Sequence, residues 1–216
     1  MYLKQYYEQY WRGEAPPPLD DPTTEARKAL LLRMLQRYVR PSAQNDVRIL
    51  DAGCGEGEFL EFFATQGCNV YGVDVAEGAV YRAHRQCTTA SIQVGSLEET
   101  LPFPPGFFDV VWCSEVLEHL FDIRAAMREV SRLVKDHGFF VVTTPYHGLC
   151  KNLAISLLRF EQHFDVLGPH IRFFTKQSLS ACLMLAGFEI LQWQGVGRTW
   201  PFYKSFFVIA RKRQAS

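Results

Sequence analysis

Residues Ile49 to Leu60, ILDAGCGEGEFL, restrict what this chain can fold into more than any other stretch. Val47, Ile49 and Leu50 predict a short buried strand that ends at Asp51. Gly53, Gly55 and Gly57 follow, and backbone without a Cβ can turn tightly there and come close to a ligand. Phe59, Leu60, Phe62 and Phe63 then recur at helical spacing. Strand, glycine turn and helix start, in that order, build a nucleotide-binding corner at the edge of an open α/β sheet.

The charges of the corner narrow the ligand. A dinucleotide fingerprint has its third glycine where this chain carries Glu58. Glu56 and Glu58 suit a helix N-terminus but repel a pyrophosphate, and Asp51 adds a negative charge at the strand tip. A ligand with a cationic end and no phosphate fits such a corner, and S-adenosylmethionine, with its ammonium and sulfonium, is one. The run DAGCGEG resembles motif I of the class I S-adenosylmethionine-dependent methyltransferases. The resemblance extends from about Arg48 to the C-terminus. Its second strong match is Leu101-Pro102-Phe103 followed by Phe108-Asp109-Val110-Val111. Lys135-Asp136-His137-Gly138 stands where relatives carry Lys-Pro-Gly-Gly.

Strand and helix signals alternate through the rest of the chain. Thr23 or Thr24 can cap a helix that buries Leu30, Leu31, Met34, Leu35 and Tyr38 and stops at Pro41. Strands are predicted at Asn69–Asp74, Ile92–Val94, Phe108–Cys113, Phe139–Thr143, Phe188–Trp193 and Phe206–Ala210. Helices are predicted at Ala79–Gln86, at Arg124–Val134 and from Thr175 or Ser178 to Ala186, with Gly187 as the stop. This alternation argues for an α/β, Rossmann-like, doubly wound and mostly parallel sheet. The resemblance implies seven strands with the last antiparallel. Residues 1–216 read as a single methyltransferase domain, with 1–45 as N-terminal arm and helix and 148–172 as a substrate-side insertion or lid. The proline-rich arm over 1–22 is either a cover for the site or surface padding.

Spacing assigns one further cofactor residue. Asp74 ends the second strand 74 − 51 = 23 residues after Asp51, close to the ~20 expected for a ribose-binding carboxylate. The resemblance implies a cofactor shell of Asp51, Ala52, Gly53, Cys54, Gly55, Asp74, Val75, Ser96, Leu97, Cys113, Ser114 and Glu115. Asp51 and Gly53 would hold the methionine end, Asp74 the ribose, and Ser96 with Leu97 the adenine. Ser96 replaces the aspartate that many relatives use there. Ser114 and Glu115 would lie beside the methionine moiety.

Three segments carry candidate chemistry at the carboxyl ends of the strands. Glu115, Glu118 and His119 form E-x-x-E-H, which in a helix would share one face and could hold a divalent metal, Mg or Zn. The pattern resembles one in ubiquinone-biosynthesis O-methyltransferases and small-RNA 2′-O-methyltransferases. In metal-free relatives the same Glu pairs or caps and the His lines the pocket. Tyr146 and His147, after the fifth strand, face the methyl group in the family, and His147 could accept a proton. The insertion from Gly148 to Arg172 holds His163, His170 and Arg172, and its leucines suggest an amphipathic helix. Three readings of that helix stand: packing in the core, capping the pocket, or peripheral contact with a membrane.

Composition bounds the rest. Lys and Arg balance Asp and Glu at 23 each, so a nucleic-acid substrate is not expected. The six scattered cysteines read as free thiols, and no apolar run is long enough to span a membrane. With no signal peptide recognised, a cytoplasmic protein is expected. The function expected is methyl transfer from S-adenosylmethionine to oxygen of a small molecule. A metal-dependent RNA 2′-O-methyltransferase, a non-catalytic binding module and a nicotinamide-dependent reductase are the rivals.

Overall fold

The computed structural model describes residues 21–40, 46–164 and 168–214. The arm ahead of Asp21, and Pro41 as helix stop, lie outside these residues. The chain runs α1 (Thr24–Met34), β1 (Arg48–Ala52), α2 (Glu58–Thr65), β2 (Asn69–Asp74), α3 (Glu77–Gln86), β3 (Ser91–Val94) and β4 (Phe108–Ser114). It continues through α4 (Ile123–Leu133), β5 (Val134–Pro145), α5 (Leu149–Leu158), α6 (Phe160–His163), α7 (Lys176–Leu185), β6 (Phe188–Val196) and β7 (Ser205–Lys212).

The strands form one seven-stranded sheet in the order β3-β2-β1-β4-β5-β7-β6. β1 to β5 pair in parallel, whereas β7 runs antiparallel to both β5 and β6. The central strands are buried on both faces, as a parallel sheet covered by helices requires. Alternation along them assigns two cores. Leu50, Val111, Cys113, Phe140 and Val208 pack with Met127, Val130 and Leu133 of α4 and with Leu179 and Leu183 of α7. Ile49, Val110, Trp112, Val141 and Phe207 turn to the other face, against Leu31 and Met34 of α1, Leu60 and Phe63 of α2 and Ala83 of α3.

Side-chain caps hold the starts of α4 and α7, whereas the expected Thr23 cap of α1 makes no side-chain capping bond. Asp122 caps α4 by accepting from Ala125 N at 2.9 Å. Thr175 and Ser178 form a reciprocal capping box at the start of α7. Two elements depart from the sequence expectation. The first helix widens into a π turn over Leu35–Val39, with Arg40 N donating to Leu35 O, and ends with Arg40 left-handed at φ +54°, instead of continuing as α-helix to Arg40. β5 begins at Val134, before Phe139, because Phe108 pairs with Val134 and Val110 with Phe139, leaving a bulge around the left-handed His137.

This topology gathers the site at one edge. The carboxyl ends of β1, β2, β4 and β5 lie together, and Pro145↔Ser205 and Val196↔Ser205 pairing brings the start of β7 and the end of β6 beside them. In α5 no residue is buried, and Leu149, Leu157 and Leu158 are 85%, 75% and 80% exposed. Of the three readings of the insertion helix, core packing is therefore not the one the fold realises. Among the described residues no helix is long and apolar enough to cross a membrane.

Candidate cofactor and acceptor site

The glycine corner is built around backbone that a side chain would disturb. Gly53 and Gly57 are left-handed, at φ +86° and +94°. A Cβ on Gly53 would lie 2.3 Å from Val116 Cγ2, so that residue also needs the space. Gly53 N and Cys54 N both donate to Val73 O, at 2.8 and 3.0 Å, tying the loop to β2. Asp74 completes the stitch, its carboxylate accepting from Gly55 N and Ala76 N at 3.0 Å each.

Asp51 sits beneath this loop at 2% exposure, and its Oδ2 has no hydrogen-bond partner. Burial, with Asp74 adding, holds its carboxyl well above the usual carboxylate range. A buried acceptor without a donor costs about 1–3 kcal/mol, which a ligand ammonium would relieve. This is a direct fit to the methionine end of S-adenosylmethionine. Ala52, Cys54, Leu97 and Cys113 are buried. Burial pushes the Cys54 and Cys113 thiols up, which makes both inert. Val75 is half-buried beside the strand tip. Ser96 Oγ accepts from Glu98 N at 3.1 Å, leaving its hydroxyl proton to donate.

An arginine that the sequence reading passed over joins the N-terminal helix to the site. Arg27 is 4% exposed and donates to Thr23 Oγ1, to Ser114 Oγ at 2.7 Å and to the Asp21 carboxylate. Ser114 also bonds Thr143 Oγ1 at 2.9 Å, so the ends of β4 and β5 and the start of α1 are locked together. The signal was present: Arg27 precedes Leu31 by four residues and so falls on the buried stripe of α1.

The E-x-x-E-H segment is not a helix. Glu115 is left-handed at φ +54°, and only Leu117–His119 forms a 3-10 turn, so residues 115, 118 and 119 do not share a helical face. The donor atoms that converge are those of Glu118, His119 and His170, all within 4.8 Å of one another, with Glu115 outside the group. Glu118 is fully buried, and burial with Glu115 beside it raises its carboxyl well above the usual range. Its Oε2 accepts from Thr144 Oγ1 at 3.3 Å while Oε1 has no partner. His119 Nδ1 lies 3.0 Å from Pro169 O, and the backbone of Glu115 also bonds the ring. Burial, with His170 adding, pushes His119 down to about 4, so the ring is neutral at pH 7.

Tyr146 and His147 belong to a second group. They line a cavity of about 580 Å³ together with Trp193, Trp200, Tyr203 and Phe206. His147 is 5% exposed, and Asn152 Oδ1 lies 3.2 Å from its Nδ1. Burial first, then Lys151 and His163, lower its pKa to about 4. The insertion returns to the body through Arg172, which donates to Leu120 O at 2.7 Å and to Phe121 O. Thus His119 and His147, named together from sequence, stand in separate clusters.

Comparison with known proteins agrees with this geometry. A family model described as a methyltransferase domain matches residues 23–193. A ubiquinone biosynthesis O-methyltransferase of Azorhizobium caulinodans is 33% identical over 168 residues, covering 74% of this chain and 65% of that protein. A probable S-adenosylmethionine-dependent methyltransferase of Mycolicibacterium smegmatis is 33% identical over 163 residues, covering 74% and 58%. The chain thus spans less than two thirds of the length of these relatives. The crystal structure of magnesium protoporphyrin IX methyltransferase from Synechocystis PCC 6803 with bound SAH has a TM-score of 0.72 at 17% identity, covering 98% of each chain, and so shares the fold. With the glycine corner, the acids at the tips of β1 and β2 and this family match, the chain belongs to the class I S-adenosylmethionine-dependent methyltransferases.

Proposed function

We propose that this chain transfers the methyl group of S-adenosylmethionine to a hydroxyl oxygen of a small molecule by in-line displacement. The observation that carries the reading is the buried, partnerless Asp51 carboxylate under the glycine corner, at the same sheet edge as the aromatic cavity. S-adenosylmethionine supplies a methyl group already activated on sulfonium. What the protein contributes is alignment, because displacement needs acceptor and methyl within about 3–3.5 Å. Asp51 and Gly53 hold the methionine end, Asp74 the ribose, and Ser96 with the Leu97 backbone the adenine. Ser114, fixed by Arg27 and Thr143, sets the floor at the end of β4.

His147 is the group positioned to take the hydroxyl proton. With Asn152 Oδ1 accepting from Nδ1–H, the lone pair is on Nε2, and the lowered pKa keeps the ring unprotonated at neutral pH. Tyr146 beside it shapes the acceptor side. A zero net charge and an aromatic cavity support a small-molecule acceptor over RNA. The continuous sheet supports reading 1–216 as one methyltransferase domain with 148–172 as its lid, and six free cysteines fit a cytoplasmic setting. The exposed leucines of α5 would also suit peripheral membrane contact, which vesicle co-sedimentation tests.

A second reading adds a divalent metal at Glu118, His119 and His170, with His170 in place of the expected Glu115. It is supported by the convergence of the three side chains within 4.8 Å and by the unpartnered Glu118 Oε1, 3.9 Å from His119 Nε2. Two imidazoles and a carboxylate suit Zn better than Mg. Calorimetry with S-adenosylhomocysteine, with each metal and after chelation, tests both readings. Micromolar binding lost in Asp74→Ala is expected, and absence of binding under every condition overturns the methyl-transfer reading. A cofactor affinity and turnover indifferent to chelation and to Glu118→Gln overturns the metal.

A further inference from the structure

We infer that the acceptor held in the cavity behind Tyr146 is a flat molecule carrying an anionic group, and that Lys151 and Lys176 receive that group. The inference rests on the methyl-transfer reading of the same site. At about 580 Å³ the cavity falls within the ~300–1,000 Å³ of small-molecule sites. Its walls are rings. Tyr146 meets Tyr203 and Phe206 edge-on, with centroids at 5.6 and 4.9 Å, and Trp193 meets Phe206 at 5.0 Å. Trp200 stands at the rim, 72% exposed. Such walls favour a planar ring, which can stack or meet them edge to face.

The electrostatics then select the sign of the ligand. Among the described residues no aspartate or glutamate lines the cavity, whereas Lys176 does and Lys151 stands against Tyr146, one of its walls, although the whole chain carries as many acids as bases. Lys176 lies 5.5 Å over the Trp193 ring and Lys151 lies 5.7 Å over Tyr146. Among the described residues neither ammonium has a carboxylate at ion-pair distance. Lys151 Nζ is held instead by two backbone carbonyls, Tyr203 O at 3.2 Å and Lys204 O at 3.3 Å. Burial, with the charges of Arg198 and Lys204 adding, lowers the Lys151 pKa. The acid that acts on it is Glu115, whose field also falls on Arg27 and Lys204. Lys204 itself is paired with Asp21 at 2.7 Å.

A half-buried ammonium among other cations is stabilised by an arriving carboxylate or phosphate. The first residues of α5 and α7 also line the cavity, so the positive ends of both helix dipoles act in the same sense. A cationic acceptor is the competing ligand for an aromatic cage. Here one face each of Tyr146 and Trp193 already lies under a lysine, and among the described residues no lining acid would draw it in.

The test uses 2-naphthoate and its uncharged isostere 2-naphthamide, titrated calorimetrically into the intact chain with and without saturating S-adenosylhomocysteine. The naphthoate is expected to bind at least about tenfold more tightly than the amide, with an affinity that falls as salt rises. Lys151→Met and Lys176→Met should each weaken naphthoate by about tenfold while leaving the amide and S-adenosylhomocysteine unchanged. Lys176 is exposed and among the described residues makes no side-chain hydrogen bond to the body, so its variant reads the charge even where loss of Lys151 disturbs the fold. Equal or tighter binding of the amide, or no naphthoate binding up to millimolar concentration, overturns the inference. Failure of S-adenosylhomocysteine to bind overturns the cofactor reading instead, a separate arm of the same titration.

Discussion

Replacing Gly53 with alanine tests whether the glycine corner is as tight as its geometry requires. Alanine at φ +86° must occupy the left-handed region, at about 1–2 kcal/mol. Its Cβ would also stand 2.3 Å from Val116 Cγ2, far inside ordinary contact. Overpacking of that kind costs about 1–3 kcal/mol when the neighbour must move. Gly53→Ala is thus expected to lose about 2–5 kcal/mol in urea unfolding. Affinity for S-adenosylhomocysteine should fall as well, since the loop bonds to Val73 O would be displaced. Val116→Ala removes the opposing methyl, so the double variant should recover the steric part but not the backbone part. A favourable coupling of about 1–3 kcal/mol in the double-mutant cycle is the result to look for. A loss in Gly53→Ala below about 1 kcal/mol, or a coupling near zero, would refute the reasoning about this loop.

Other consequences follow from the buried charges. Asp51→Asn removes a buried carboxylate that has no donor, so the melting temperature should rise while S-adenosylhomocysteine binding weakens at least about tenfold; a variant that is both less stable and equally tight would contradict the assignment. Arg27→Met removes the donor shared by Thr23, Ser114 and Asp21; Asp21 keeps Lys204 and Ser114 keeps Thr143, so the loss should be about 1–3 kcal/mol in denaturant, with Arg27→Lys unable to restore a network of separate donors. His147 has its pKa lowered from 6.5 to about 4, so the unfolded chain takes up its proton first as pH falls. The stability linked to it is present above pH 6.5 and is lost between 6.5 and about 4. After allowance for solvent screening it amounts to about 2 kcal/mol. Urea titrations at pH 7.5 and 5 should show roughly half to two thirds of this loss, since pH 5 lies inside the window, and His147→Gln should reduce it.

The parts of the site that were legible in the sequence are those where short spacing carries the geometry. Asp51, the glycines and Asp74 follow one another through a strand, a turn and a helix, so their order alone brings them together. Arg27 was equally legible in principle, since its place on the Leu31 face is a matter of helical period. The E-x-x-E-H motif misled because its spacing implies a common face only in an α-helix. A left-handed Glu115 ends that assumption, and no residue pattern announces a left-handed glutamate. The insertion helix was found from its leucines, but periodicity says only that a face is apolar and not what covers it.

By itself the sequence determined the alternation of strands and helices, the doubly wound class and the nucleotide corner, because backbone preference and hydrophobic period act over a few residues. Only the tertiary structure decided which distant groups meet. Glu118 and His119 reach His170 across the insertion. Arg27 crosses from the first helix to Ser114. The cavity draws Tyr146, Thr175, Trp193 and Phe206 from four separate elements. Those meetings depend on the order in which β5, β7 and β6 add to the sheet, with β7 reversed so that its start lies beside the end of β5. Strand order is settled by how whole layers pack, a long-range property that local spacing does not encode.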